Sequence, residues 1–64
     1  MKTVYLNVKY NGRVETVDEF TRGENAPANV QQFVSYIRDM VKEYHIAGID
    51  VYRSNRSTKD WRAN

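Results

Sequence analysis

The sequence predicts a small single-domain α+β fold: an N-terminal hairpin, one amphipathic helix packed on a three-stranded sheet, and a third strand, in the order ββαβ. Three observations predict it. Val4, Leu6, Val8 and Tyr10 alternate with Tyr5, Asn7 and Lys9, the period of two of a half-buried strand. Asn11-Gly12 follows directly, and after it comes a segment rich in Val and Thr, the signature of a β-hairpin. Val30, Phe33, Val34, Ile37, Val41 and Tyr44 then recur at helical spacing, with Gln31, Gln32, Ser35, Arg38, Asp39, Lys42 and Glu43 on the other face.

The strands of the hairpin are expected at about 3–10 and 13–20. A bare two-residue loop at Asn11-Gly12 would set Glu15 against Val8 and Glu19 against Val4, placing two carboxylates on the core face. A type I turn at Tyr10-Asn11 with Gly12 as a left-handed bulge residue instead sets Val14 against Val8 and Thr16 against Leu6. The second register suits a core better and is the expectation. It points Val17 outward unless a further bulge intervenes, and it leaves Asp18 facing inward near the strand end without an evident partner.

Thr21 to Asn25 (TRGEN) is a loop by composition. The helix is expected at about 28–44, with two competing N-caps. Asn25 would place Pro27 in the first turn, where its missing N–H costs nothing; Asn29 with Gln32 three residues on would form a capping box. Gly48 supplies the C-terminal stop, and His45 suits the negative end of the helix dipole. The third strand is expected at 49–54. The right-handed crossover rule allows it to land beside the first strand, giving the order 2-1-3. The domain thus covers residues 1–53, followed by a basic arm, 54–64.

The stretch from Arg53 onward holds Arg53, Arg56, Lys59 and Arg62 against Asp60 alone, while the preceding residues carry six cations against seven acids, so all of the net positive charge sits in this end of the chain. With Trp61 as its one large aromatic, it reads as a contact device that folds back on the domain or inserts into a partner. A 64-residue chain buries only about 60% of the surface its unfolded form exposes. It has no cysteine, so disulfides and zinc clusters are excluded as supports, and association remains.

No nucleophilic or metal-binding kit is legible. His45 is the lone histidine and sits at a helix end, and Asp39 and Glu43 share a helix face that Arg38 and Lys42 already balance. Gly12, Gly23 and Gly48 are too far apart to form a phosphate-cradling loop. No catalytic residue, metal site or cofactor is therefore assigned, and the chain is expected not to be an enzyme. MKTVYLNVKY lacks the continuous apolar run of a signal peptide, and no stretch approaches the roughly 20 apolar residues of a membrane span. A cytoplasmic protein with no membrane contact is expected.

Size and layout, and nothing more specific, match the small accessory proteins of phages and mobile elements that act by occupying a larger protein. The leading expectation is accordingly a non-enzymatic protein, of accessory or inhibitor type, that binds and modulates a protein partner. Its contact residues would be Tyr52, Arg53, Arg56, Lys59, Trp61 and Arg62. Tyr5, Lys9, Arg13, Tyr36 and Met40 form a secondary surface, and a homodimer through a sheet edge or the helix flank stays open. The alternative is a nucleic-acid-binding module using the basic arm and the Tyr5, Lys9, Arg13 and Tyr52 sheet face.

Overall fold

Asn11 and Gly12 both take positive φ, 52° and 76°, the conformation that a two-residue type I′ turn demands. The computed structural model, which describes residues 2–56, therefore begins with the tight hairpin rather than the expected bulged turn. β1 (Thr3–Tyr10) and β2 (Arg13–Thr21) pair antiparallel with Tyr10 opposite Arg13 and Val8 opposite Glu15. After Asn7↔Thr16 the register shifts, and Leu6 faces Asp18, Tyr5 faces Glu19 and Val4 faces Phe20. Val17 is the extra residue, a β-bulge that turns every later side chain of β2 to the other face.

The expected pairs Val14↔Val8 and Thr16↔Leu6 are thus replaced, and burial of the carboxylates is avoided by other means. Glu19 moves to the open face of the sheet, and Glu15 stays exposed because the hairpin tip projects beyond the helix, where Tyr10 is 65% exposed. Asp18 does face inward, and it has a partner: the Tyr44 hydroxyl donates to Asp18 Oδ2 at 3.0 Å, while Oδ1 accepts from the Glu19 amide.

The loop after β2 is held by Asn25, whose Oδ1 accepts from the Thr21 amide at 2.7 Å and whose Nδ2 donates to the Glu19 carbonyl. Its side chain being committed there, Asn25 does not cap the helix. Asn29 does, accepting the Gln32 amide at 3.0 Å, so α1 runs Val30–Ile46 and Pro27 lies in the preceding loop instead of the first turn. At the other end Gly48 (φ 85°) donates to His45 O and Ile49 donates to Tyr44 O, the two bonds of a Schellman motif. That motif absorbs Ile49, and β3 spans only Val51–Ser54.

β3 pairs antiparallel with β1, from Val8↔Val51 to Tyr5↔Ser54, and the sheet order is β2-β1-β3. The two outer strands are parallel to each other, joined by α1 crossing one face. Leu6, Phe20, Phe33, Ile37 and Val51 form the buried core, with Val4, Val8, Tyr36, Met40, Val41 and Tyr44 packed around it. The Tyr36 ring meets Phe20 edge to face, centroids 5.4 Å apart. Tyr36 and Met40, expected to widen the helix stripe toward a neighbour, instead close the core, while Val30 and Val34 from that stripe are 57% and 41% exposed.

The opposite sheet face has a polar centre. Asn7 is fully buried there; its Oδ1 accepts from Thr16 Oγ1 at 2.7 Å and its Nδ2 donates to the Arg56 carbonyl at 2.9 Å. The chain leaving β3 therefore turns back across the open face, and the root of the basic arm is fastened to the central strand. No helix among the described residues is long and apolar enough to cross a membrane.

Two outcomes follow from these contacts. Asn7→Ala removes the acceptor of the Thr16 Oγ1 hydrogen bond and the buried donor to the Arg56 carbonyl, and is expected to cost about 1–3 kcal/mol in urea unfolding. Burial, then the hydrogen bond to Asp18 and its negative charge, raise the Tyr44 pKa above its usual value. Tyr44 is then neutral in both states below about pH 10, but above it the unfolded chain ionises first. Its contribution is complete below that pH and lost as pH rises through the raised folded value. Thermal midpoints of wild type and Tyr44→Phe measured from pH 8 to about pH 11 are expected to show a steeper alkaline decline in the wild type.

Candidate binding site

The strand order brings three separate pieces of chain to one end of the sheet. β1 begins there, β2 ends there and β3 ends there, and α1 starts above them. The register after the Val17 bulge sets Lys2 beside Arg22, whose amide donates to the Lys2 carbonyl at 3.0 Å. Arg53 faces Leu6 across the β1–β3 ladder, which puts it on the helix side of the sheet. Lys2, Arg22 and Arg53 thereby ring one depression of about 240 Å³.

Its floor is apolar. Val4, Phe33 and Ile37 form the base, and Val30 and Val34 the helix wall. These two valines, 57% and 41% exposed, line the groove instead of being covered by the sheet. No carboxylate lines the depression, and none of the three cations has an ion-pair partner among the described residues. Arg22 alone is tied down, through Nη1 to the Ala28 carbonyl at 3.3 Å. The first turn of α1 contains no acidic residue, so the positive end of the helix dipole is uncompensated as well.

A second shallow hollow, lined by Lys2, Val4, Arg53, Ser54 and Asn55, continues the groove along the end of β3. A wider depression, about 530 Å³ against Gln31, Gln32, Ser35 and Asp39, is open helix surface with no comparable concentration of charge. Chemically, the groove offers a desolvated floor for an apolar group and three charged donors around it for anions.

The sequence-predicted contact residues are dispersed. Arg53 is in the groove. Tyr52 points to the open face, paired with Asn7, and Arg56 is bound there through its backbone; Lys59, Trp61 and Arg62 lie outside the described residues. On the secondary surface, Tyr5 is half-buried and Lys9 exposed on the open face. Arg13, by contrast, pairs with Tyr10 and so joins the helix side, leaving the aromatic-cationic face one cation short of the expectation. Lys2 and Arg22 were not singled out from sequence, and Val30 and Val34 were read as part of the core stripe of the helix rather than as a site. The signal was topological: in an antiparallel sheet of order 2-1-3, residues just outside the start of β1 and the ends of β2 and β3 are neighbours.

His45 serves the fold. Its Nε2 lies 2.9 Å from the Val51 carbonyl, which can only accept, so this nitrogen carries the proton and clips the helix end to the start of β3; Asp50 Oδ1 lies 3.4 Å away. Among the described residues no group of three His, Asp or Glu side chains is placed to hold a metal ion.

No family model, curated protein or solved structure compared with this chain matches it, and the groove's chemistry rests on its own residues. Because the rim cations are unpaired and exposed to one another's field, they contribute little to the fold. Arg22→Ala and Arg53→Ala are each expected to shift urea-unfolding stability by no more than about 0.5 kcal/mol, in contrast to Asn7→Ala.

Proposed function

We propose that this chain is a small non-enzymatic interaction protein that binds and modulates a larger protein partner in the cytoplasm, with the groove between α1 and the strand ends as its contact surface. The observation that carries the reading is the meeting of three unpaired cations around exposed valines. Interface centres combine apolar surface with Arg, and surplus charge that does nothing for stability is expected at a functional surface.

Two features favour this over nucleic-acid binding. The open sheet face, which would stack bases, carries Glu19, is crossed by residues 55 and 56, and lacks Arg13. The groove itself presents aliphatic side chains, Phe33 being buried, so it offers no aromatic platform on which bases stack.

The test is affinity capture of the tagged chain from its native cell, comparing wild type, the double variant Arg22→Glu/Arg53→Glu and a chain ending at Arg56. A protein retained by wild type and lost by the double variant, with an unchanged thermal midpoint, is the expected result. Equal retention by the double variant would sink the groove as contact surface. Recovery of nuclease-sensitive material with steep salt dependence would replace the reading with nucleic-acid binding.

A further inference from the structure

The groove's geometry also indicates what kind of segment fits it, given that it is a protein-binding surface as proposed above. Arg22 lies just beyond the end of β2 and Arg53 lies on β3, with β1 between them. They are therefore about two strand spacings, roughly 10 Å, apart across the sheet. Along the strands they are offset by the distance from Lys2 to Leu6, roughly 13 Å. Lys2 stands beside Arg22. Positive charge thus reaches the apolar floor from separated roots on the sheet, with Lys2 also lining the shallow hollow beside Arg53, and with the helix N-terminus above.

A single carboxylate or phosphate headgroup is too small to satisfy donors rooted so far apart. A chain bearing several anions, with an apolar group between them, matches the spacing. The apolar depression of about 240 Å³ has room for one or two apolar side chains.

We propose that the groove receives an acidic segment of a partner protein in which one or two bulky aliphatic or aromatic side chains are flanked on both sides by Asp or Glu. The apolar anchor rests on Val4, Phe33 and Ile37 between Val30 and Val34. Carboxylates on one side pair with Lys2 and Arg22, and on the other with Arg53, while the first turn of α1 adds its free dipole to the same field.

A second copy of this chain does not fit, because a symmetric contact at this surface would set the same three cations against themselves. The chain's own end does not fit either. Residues 57–64 carry Lys59 and Arg62 against Asp60, so they offer the groove no excess of negative charge, and Arg56, the last described residue, lies at the opposite face of the sheet.

The experiment is a titration of the isotope-labelled full chain with a synthetic peptide of about 12 residues, two central leucines flanked on each side by Asp and Glu. Amide shifts and fluorescence anisotropy are followed at two salt concentrations. Saturable shifts centred on Val4, Val30 and Val34 are expected, with a dissociation constant at or below about 1 mM. Replacing both leucines by Ser, or every Asp and Glu by Lys, is expected to weaken binding at least about tenfold. So is Arg22→Ala/Arg53→Ala in the protein, and Val34→Ser, a second variant at a half-exposed position, is expected to weaken the leucine peptide selectively.

Equal binding of the Lys peptide, absence of shifts in the groove, or stronger engagement of anionic phospholipid vesicles or a single-stranded oligonucleotide would each overturn the proposal. The two readings fail separately. If capture from cells depends on Arg22 and Arg53 but the acidic peptide leaves the groove untouched, the partner chemistry is wrong; if capture ignores both arginines, the contact surface is wrong.

Discussion

The fold depends on one extra residue in β2. With Val17 bulged out, the alternation of the strand changes phase between Thr16 and Asp18. Glu19 then points away from the helix and Phe20 toward it. Without the bulge, the turn at Asn11-Gly12 would carry a single register to the strand end, Glu19 would lie opposite Val4, and the core would lose one of its five buried apolar side chains. The same change of phase turns Asp18 toward Tyr44 and brings Arg22 beside Lys2. Core, buried polar contact and groove rim all follow from it.

The open face is organised around Asn7, which sits at the middle of the central strand and is fully buried. A buried amide costs free energy unless its hydrogen bonds are made. Here Thr16 donates from the residue immediately before the bulge, and the Arg56 carbonyl accepts from the segment after β3. These bonds join all three strands to the chain that leaves them, and any slip of β2 by one residue would break the first. Asn7 therefore acts on register as much as on stability, the role for which buried polar groups have their best support.

Much of this was legible in the sequence, and the rest was hidden for identifiable reasons. Although the turn is the tight two-residue form rather than the expected bulged one, the alternation in β1, the hairpin itself, the helix, the Gly48 stop and the 2-1-3 order all express patterning that the structure repeats. The register of β2 does not. Thr16, Val17 and Asp18 give no alternation from which a bulge can be located, and the penalty assigned to Glu15 assumed that the helix covers the hairpin to its tip. It does not reach that far. The groove was hidden because charge counted along the chain concentrates at the C-terminus, whereas the rim takes one residue from the start of the chain, one from a loop and one from β3. Only the combination of strand order with a corrected register assembles them.

The groove also changes how the small core should be viewed. Lys2, Arg22 and Arg53 repel one another and face the positive end of a helix whose first turn has no acid to offset it, so this end of the molecule is electrostatically unfavourable in isolation. Many helices relieve that condition with an Asp or Glu in the first turn. In this chain the first-turn position of Val30 is given to apolar surface instead. Anions bound there would offset the repulsion and cover Val30 and Val34 together. Because a ligand that binds only the folded state stabilises it by RT ln(1 + [L]/Kd), an acidic segment bound as proposed would tie the stability of a domain with so little buried surface to occupancy of the groove.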